Sequence, residues 1–362
     1  MAQQRKLNKG QLRRVRQNQQ RRLDTPSVEE EIANDDLAAS EHGVIISRFG
    51  QHADVLGDDG YRTRCHIRRG VESLVCGDSV VWRRAKSPIA EQSVQGIVEA
   101  VHPRKSLLSR PDFYDGLKPV AANIDQIFII SSVLPAFSAQ IIDRYLVACE
   151  DSEITPVIVL NKADLMNELE PEQQAEITTT LAMYEDIGYR VMKVSAHTKT
   201  GMSELTEALS ERVSVVVGQS GVGKSSLVNS LLPEIEADIG AISDNSGLGQ
   251  HTTTVATWYD LADSNIGLTG ALIDSPGIRE FALWHLERDR VAWCYRDFRP
   301  FLGQCKFRDC KHRDDPGCAL QEAVNSGDLH ALRLYNFHRI VESMQTQKPP
   351  RMTNKGSAQR GK

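Results

Sequence analysis

The chain of 362 residues is long enough to bury about two or three cores, and 40% apolar with 25% charged residues is an ordinary globular composition. The longest apolar run, around residues 127–134, is too short to span a bilayer, and the polar, basic start has no signal-peptide core. We therefore expect a cytoplasmic protein without a membrane partner.

The charge is unevenly distributed. Residues 1–23 carry eight Lys or Arg and no Asp or Glu, so the net charge of −5 divides into +8 on this segment and −13 on the rest. We predict that residues 1–38 form a basic disordered tail that binds a polyanion such as RNA. A solvated tail that only aids solubility is the alternative.

Residues 39–110 contain five short strand-like runs, namely GVIISR, ADVLG, YRTRCHI, DSVVWRR and QGIVEAV. Turn signals separate these runs, and one of them is Gly57–Gly60. Five short strands predict a small β-barrel of the oligonucleotide-binding type. Nucleic-acid binding would use basic and aromatic positions that we expect on its surface, namely Arg62, Arg64, Arg68, Arg69 and Trp82. A barrel that contacts protein or serves as a spacer is the alternative.

Residues 111–278 alternate strand-like and helical runs, which predicts an α/β domain with a mostly parallel sheet. The predicted strands lie in IDQIFIISSV, TPVIVLNKAD, YRVMKVSAH, VSVVVG, TWYDL and GALIDSPG, and the predicted helices in SAQIIDRYLVACEDS and GMSELTEALSER. Residues 279–345 are aromatic, charged and helical, and they enclose a cysteine cluster. Residues 346–362 form a polar, basic tail.

The segment GQSGVGKSS matches the phosphate-loop pattern G-x-x-x-x-G-K-[ST], between a β-branched strand and a helix-like segment. Its glycines let backbone N–H groups turn inward as an anion nest, Lys224 would meet the β- and γ-phosphates, and Ser225 would bind magnesium. A chance glycine-rich turn is the alternative. The predicted nucleotide-binding residues are Gly218, Gln219, Ser220, Gly221, Val222, Gly223, Lys224, Ser225 and Ser226.

Two further segments are predicted to surround the γ-phosphate, although each can also be an ordinary turn. In DSPG, Asp274 would hold magnesium and Gly277 would sense the γ-phosphate. In GQHTTT, residues 249–254, Thr253 would bind magnesium. Many GTPases have a water-orienting Gln directly after D-x-x-G, but this chain has Ile278, so His251 is the candidate. The predicted catalytic residues are His251, Lys224 and Thr253.

The segment NKAD predicts a guanine-recognition loop, since the Asp164 carboxylate can accept hydrogen bonds from guanine N1–H and the exocyclic amine, whereas adenine offers no such pair. Asn161 would brace neighbouring loops, the Lys162 stem would lie over the base, and a backbone N–H after the next strand would reach the guanine oxygen. A helix-capping turn is the alternative. The predicted base-binding residues are Asn161, Lys162, Ala163, Asp164, Ser195 and Ala196.

These motifs occur in rotated order, because the base loops precede the phosphate loop, the threonine segment and D-x-x-G. The order indicates a circular permutation of a GTPase domain, which a compact domain with neighbouring termini tolerates. An ATPase with an accidental NKAD is the alternative.

The spacing Cys305-x4-Cys310-x-His312-x5-Cys318 offers the four ligands of a closed, structural zinc site, one per chain. Few apolar residues are available to fold this segment otherwise, although reduced surface cysteines remain the alternative. Cysteines clustered with a histidine in this way fit a metal site in a reduced compartment better than the disulfide framework of a secreted protein. We expect the remaining cysteines to lie in hydrophobic cores: Cys65, Cys76, Cys149 and Cys294.

With these motifs, the chain resembles the ribosome small-subunit-dependent GTPase A family of circularly permuted bacterial GTPases. The resemblance implies a barrel, a permuted GTPase domain and a zinc domain that act on the small ribosomal subunit and its rRNA during late maturation, with GTP, GDP, magnesium and zinc as ligands. We expect a monomer whose GTP hydrolysis the subunit stimulates. A GTP-gated RNA-binding protein with negligible hydrolysis is the alternative function.

Overall fold

The computed structural model describes residues 37–71, 73–89, 94–112, 116–232, 256–263, 268–274, 283 and 285–347. Within these ranges the chain forms a barrel, a two-stranded hairpin, a six-stranded sheet with helices, and a C-terminal helical module. No helix in the described ranges is both long enough and apolar enough to cross a membrane.

Five strands close into a barrel, as the sequence predicts, and their order around it is β1-β2-β3-β5-β4. The strands are β1 (Leu37–Phe49), β2 (His52–Gly57), β3 (Arg62–Ile67), β4 (Ser79–Ile89) and β5 (Val94–Val101). Neighbouring strands are antiparallel except β3 and β5, which are parallel. Alternating residues point inward, so Ile45, Val55 and Cys65 form a fully buried core with Trp82.

The expectation of an exposed Trp82 was wrong. The period-two alternation of β4 places Trp82 with Val80 on the inner face, where both are fully buried. The indole N–H donates to the carbonyl of His42 at 3.1 Å, and the Arg84 guanidinium covers the ring. The other expected surface positions differ from Trp82: Arg62, Arg64 and Arg69 are exposed, and Arg68 is half-buried.

A hairpin that the sequence did not predict joins the barrel to the α/β sheet. It consists of β6 (Leu107–Asp112) and β7 (Gly116–Ala122). Its ends are fastened to the barrel, because Arg104 Nε donates to buried Asp78 Oδ1 at 2.6 Å and Asn123 Nδ2 donates to the Gly77 carbonyl at 2.8 Å.

The α/β domain has a six-stranded sheet in the order β10-β9-β8-β11-β13-β12. All neighbouring strands are parallel except the antiparallel edge strand β12. The strands are β8 (Gln126–Ser132), β9 (Thr155–Asn161), β10 (Arg190–Lys193), β11 (Arg212–Gly218), β12 (Thr257–Asp260) and β13 (Gly270–Asp274). The helices are α1 (Ala139–Asp151), α2 (Pro171–Asp186), α3 (Met202–Leu209) and α4 (Lys224–Leu231).

Every residue of β8 is buried, since helices cover both faces of this central strand. The parallel strands all end at one edge of the sheet, and ligands of such sheets bind at this edge. Asn161 ends β9, Gly218 ends β11 and Asp274 ends β13, so three predicted motifs are brought to the same edge.

The C-terminal module is helical, as predicted. It contains α5 (Arg288–Trp293), a 3-10 helix (Arg296–Phe301), α6 (Ala319–Ser326) and α7 (Ala331–Gln347). Tyr295, Phe298 and Phe337 pack as an aromatic cluster with ring centroids 4.5–5.8 Å apart. This core is continuous with that of α1, so the module packs directly on the α/β domain.

Candidate nucleotide site and metal cluster

The phosphate loop connects the end of β11 to the start of α4, and its glycines have positive φ angles. The φ of Gly218 is 150°, that of Gly221 is 81° and that of Gly223 is 88°. A Cβ at Gly218 would lie 2.3 Å from the Ile130 carbonyl oxygen, and one at Gly223 would lie 2.4 Å from Asn161 Nδ2. Both the backbone conformation and the close neighbours therefore require glycine.

Lys224 lies at the beginning of α4, with its side chain turned back over the loop. Its ammonium donates to the carbonyls of Gly218 at 2.7 Å and Gln219 at 2.5 Å. Ser225 and Ser226 follow in the first helical turn. A positive charge thus stands beside a helix N-terminus, where backbone N–H groups and the helix dipole both favour an anion.

The NKAD segment contacts the phosphate loop directly. Asn161 Nδ2 donates to the carbonyl of Val222 at 2.9 Å. The Lys162 ammonium donates to the carbonyls of Gly221 at 2.8 Å and Leu134 at 2.7 Å. The NKAD segment and the phosphate loop, which are far apart in the chain, therefore lie side by side in one site.

One oxygen of the Asp164 carboxylate is free to accept a hydrogen bond from a ligand. Its Oδ1 atom is buried and has no hydrogen-bond partner among the described residues. A buried oxygen without a donor costs about 1–3 kcal/mol, and this cost disappears when a ligand supplies an N–H group. The donor edge of a guanine ring offers such groups, so the residues present fit the base.

The loop after β10 lies beside the NKAD segment, since the Ala163 N–H donates to the carbonyl of Val194 at 3.0 Å. Ser195 is fully buried, and its own N–H donates to the Thr200 carbonyl at 3.0 Å. The half-buried Ala196 follows directly. Of the two residues proposed to reach the guanine oxygen, Ser195 already uses its N–H within the loop.

Asp274 ends β13 next to the strand that carries the phosphate loop, in register with Val216. It therefore lies at the same sheet edge as Gly218 and Asn161. His251, Thr253 and Gly277, which complete the predicted γ-phosphate surroundings, lie outside the described residues.

One functional segment was missed in the sequence, namely the loop between β8 and α1. Its residue Leu134 accepts a hydrogen bond from Lys162, and the ring of Pro135 would lie 3.6 Å from a Cβ placed at Gly221. The loop therefore forms a wall beside the phosphate loop. Its only sequence signal is a proline shortly after a buried strand, which is too common a pattern to indicate a site.

Cys305, Cys310, His312 and Cys318 form one cluster, with their ligand atoms all within 4.8 Å of one another. The Nδ1 atom of His312 lies 3.5 Å, 3.6 Å and 3.5 Å from the three sulfur atoms, in chain order. Three of the four residues are buried. The cluster can therefore bind a metal ion.

Contacts outside the cluster orient its ligands. The Arg288 guanidinium donates to the carbonyl of Cys310 at 2.7 Å, and His338 Nε2 donates to the carbonyl of His312 at 2.9 Å. Asp315 Oδ2 accepts the N–H of Lys311 at 2.9 Å. Such outer contacts fix the direction of metal ligands.

The remaining cysteines are buried, as expected: Cys65, Cys76, Cys149 and Cys294. Burial raises the pKa of the Cys65 and Cys294 thiols to about 12. These thiols stay protonated at neutral pH and pack as small apolar side chains.

A phosphate loop held by an NKAD segment, on a mostly parallel sheet and with the motifs in rotated order along the chain, defines a circularly permuted P-loop GTPase. Residues 101–284 match the model of the RsgA GTPase family. The chain belongs to this family, and it is a GTP-hydrolysing enzyme.

Relatives match nearly the whole chain. The small ribosomal subunit biogenesis GTPase RsgA of Shewanella oneidensis is 54% identical over 97% of this chain and 98% of its own length. The protein of the same name from Proteus mirabilis is 55% identical over 94% of this chain and 96% of its own length.

Two crystal structures support the fold. YjeQ from Thermotoga maritima aligns with a TM-score of 0.66 and 28% identity, over 85% of this chain and all of that one. YloQ, described as a circularly permuted GTPase, aligns with a TM-score of 0.64 and 24% identity, over 89% of this chain and all of that one. The second shows a shared fold alone.

Proposed function

We propose that this GTPase binds the small ribosomal subunit and assists its late maturation, hydrolysing GTP to GDP and phosphate with stimulation by the subunit. One observation carries the proposal: relatives at 54% and 55% identity, aligned over nearly their full lengths, are named for small ribosomal subunit biogenesis. We also propose that the protein works in the cytoplasm and acts as a monomer.

Guanine recognition is assigned to the NKAD segment and the loop after β10. The Asp164 carboxylate accepts hydrogen bonds from guanine N1–H and the exocyclic amine, which is supported by its unpartnered buried oxygen. The Lys162 stem lies along the base, while its ammonium holds the phosphate loop. Because the Ser195 N–H is engaged by Thr200, we assign the contact with the guanine oxygen to Ala196.

Phosphate binding is assigned to the loop from Gly218 to Ser226. Its backbone N–H groups would surround the α- and β-phosphates, and Lys224 would move from the loop carbonyls to the β- and γ-phosphates. Ser225, Asp274 and Thr253 would hold magnesium, whose charge offsets that of the phosphate oxygens.

Hydrolysis needs a group that orients the attacking water. The side chain of Ile278 can neither donate nor accept a hydrogen bond, so we assign this role to His251, while Gly277 senses the γ-phosphate. We propose that contact with the subunit brings His251 to the attacking water, so that hydrolysis is slow without the subunit. The same Ile278 favours the second candidate function, a GTP-gated RNA-binding protein with negligible hydrolysis.

We propose that the metal of the C-terminal cluster is one structural zinc ion. A tetrahedral zinc ion with bonds of about 2.0 Å to nitrogen and about 2.3 Å to sulfur separates these atoms by about 3.5 Å. The sulfur–nitrogen distances in the cluster are 3.5–3.6 Å. Four ligands complete the coordination shell, so the ion would stabilise the fold without taking part in hydrolysis.

Contact with rRNA is assigned to the barrel and the basic tail. Arg62, Arg64 and Arg69 are exposed on the barrel, and the Arg64 guanidinium lies over the ring of the exposed Phe49. Exposed arginines and aromatic rings are the groups that contact phosphates and unpaired bases. Residues 1–23 would add contacts with phosphate groups, which do not depend on the RNA sequence.

Sedimentation of the pure protein with purified small or large ribosomal subunits tests this proposal. In the presence of a non-hydrolysable GTP analogue, the protein should sediment with the small subunit alone, and GDP should release it. Equal sedimentation with both subunits, or with neither, would reject the subunit as the partner. Measuring GTP turnover in the same mixtures separates a GTPase from a GTP-gated RNA-binding protein.

A further inference from the structure

Helix α1 lies between the central sheet and the C-terminal module. Its apolar residues Ile142, Leu146 and Cys149 belong to the domain core. Its charged residues instead contact the C-terminal module, and one of them, Asp143, is fully buried at that contact.

Asp143 is the centre of a buried polar network. The Arg333 guanidinium of α7 and the Tyr184 hydroxyl of α2 both donate to its Oδ1 atom, the latter at 2.7 Å. Asn336 of α7 donates to its Oδ2 atom at 2.7 Å. Arg333 also forms two hydrogen bonds with Asp297, at 2.9 Å and 3.0 Å.

Arg333 is only 1% exposed, and its guanidinium lies 4.2 Å from the centre of the Tyr295 ring. Burial raises the pKa of Asp143, and the positive charge of Arg333 opposes that rise. Because a buried charge is stable only when it is paired and hydrogen-bonded, this pair favours the relative position of α1 and α7 in which it forms.

The far end of α1 is held in the same way. Glu150 accepts hydrogen bonds from Arg296 at 2.5 Å and from Arg299 at 2.7 Å, and Asp151 accepts one from Arg290 at 2.7 Å. All three arginines belong to the C-terminal module. The module therefore holds α1 both at Asp143 and at its last two residues.

The first turn of α1 is one short loop away from the nucleotide site. The Tyr184 hydroxyl that bonds Asp143 also lies 3.1 Å from the carbonyl oxygen of Ala139, the first residue of α1. The preceding loop contains Leu134, whose carbonyl shares the Lys162 ammonium with that of Gly221 in the phosphate loop. A movement of α1 would thus displace a wall of the nucleotide site.

We propose that Arg333, a residue of the C-terminal module, is a positioning residue for the nucleotide site. Through Asp143 it fixes the start of α1, and through the loop around Leu134 it fixes the Lys162 contact with the phosphate loop. By thermodynamic linkage, nucleotide binding stabilises the docked module as much as the docked module favours nucleotide binding. The proposal rests on GDP binding at this site and on no ribosomal role.

The test compares Arg333→Gln with a matched control on the same helix, Arg339→Gln. Arg339 is exposed and pairs within α7, with Glu342 at 3.8 Å. The Kd for GDP is measured by calorimetry at a temperature where both variants are folded, and amide exchange of residues 133–138 is followed by mass spectrometry. We expect Arg333→Gln to raise Kd at least about fivefold and to speed exchange of the loop, with Arg339→Gln within about twofold of wild type.

A purely structural role would lower the melting temperature of the Arg333 variant and leave Kd for GDP unchanged in the folded protein, and that result would overturn the proposal. If Arg333→Gln does not fold, the wild-type protein decides the question. GDP should slow amide exchange in α7 residues 333–337, and identical exchange with and without GDP would overturn the proposal. Wild-type protein that binds no GDP would instead reject the nucleotide site itself.

Discussion

Asn161 Nδ2 donates to the carbonyl of Val222 at 2.9 Å, so the residue that ends β9 holds the phosphate loop from 61 positions away in the chain. In the rotated motif order, the base loop comes first and has no phosphate loop before it. The contact shows that rotation of the chain order leaves the two loops joined in space, because strands β9, β8 and β11 remain neighbours in the sheet.

Asp164→Asn should weaken GDP binding by about 2–3 kcal/mol, since it removes a charge-assisted pair of hydrogen bonds. Xanthine carries an oxygen in place of the exocyclic amine, so the variant's amide should shift preference toward xanthosine diphosphate. Calorimetric titration with both nucleotides measures this. Asp186→Asn, at the exposed end of α2, is the control. Unchanged preference for guanine would remove Asp164 from base recognition.

Gly223→Ala should weaken nucleotide binding by loosening Asn161 from the loop. The new Cβ would lie 2.4 Å from Asn161 Nδ2, at a φ of 88°. Gly188→Ala is a matched control, because its φ is 93° but nothing lies within 4 Å of the added Cβ. Both variants should lose about 1–3 kcal/mol of stability, and only the first should lose GDP affinity. Equal GDP affinity of the two variants would show that the Asn161 contact does not support the site.

Metal analysis should find one zinc ion per chain. Cys305→Ser and Cys318→Ser should each lose it, because serine replaces a thiolate ligand by a hydroxyl that binds zinc poorly. The near-ultraviolet circular dichroism of the C-terminal aromatic cluster should weaken at the same time. Cys294→Ser, a buried cysteine outside the cluster, should keep the metal. Full zinc content in either ligand variant would refute the ligand set.

Removal of residues 1–23 should weaken binding to the small subunit and reduce its salt dependence. Each lost phosphate contact lowers the slope of log affinity against log salt by about 0.9 for duplex nucleic acid. A variant in which residues 1–23 are replaced by the same number of uncharged residues distinguishes the effect of the charge from the effect of the tail's length. An identical salt slope in all three proteins would leave the tail with a solubility role only.

His251→Ala should keep GTP affinity nearly unchanged and lower subunit-stimulated hydrolysis by about 10²-fold or more, the usual effect of losing a positioned group. Single-turnover kinetics with saturating subunits measures the loss, and a binding assay confirms that the complex still forms. A wild-type rate in that complex would assign the water-orienting role to the subunit or to another residue.

The sequence predicted the five-stranded barrel, the mostly parallel sheet and the phosphate loop before a helix, because each depends on local patterns: period-two alternation, buried β-branched runs and glycines before a helix. Trp82 was misplaced because alternation defines two faces of β4 but does not say which one points inward; only closure of the barrel decides this.

The contacts between α1 and the C-terminal module could not be predicted from the sequence, for a different reason. Asp143 and Arg333 are 190 residues apart, and each looks like an ordinary surface charge on its own helix. Their pairing follows from how the C-terminal module docks, which is a tertiary contact that no local spacing encodes. The β6–β7 hairpin was missed because Pro111 and Pro119 argue against strand.

The rate of GTP hydrolysis in the presence of each purified ribosomal subunit is the decisive test of stimulation by the small subunit. We expect slow hydrolysis by the protein alone, stimulation of about 10-fold or more by small subunits, and no stimulation by large subunits. ATP should not be hydrolysed under the same conditions. Equal GTP turnover with small subunits, with large subunits and with neither would contradict the account.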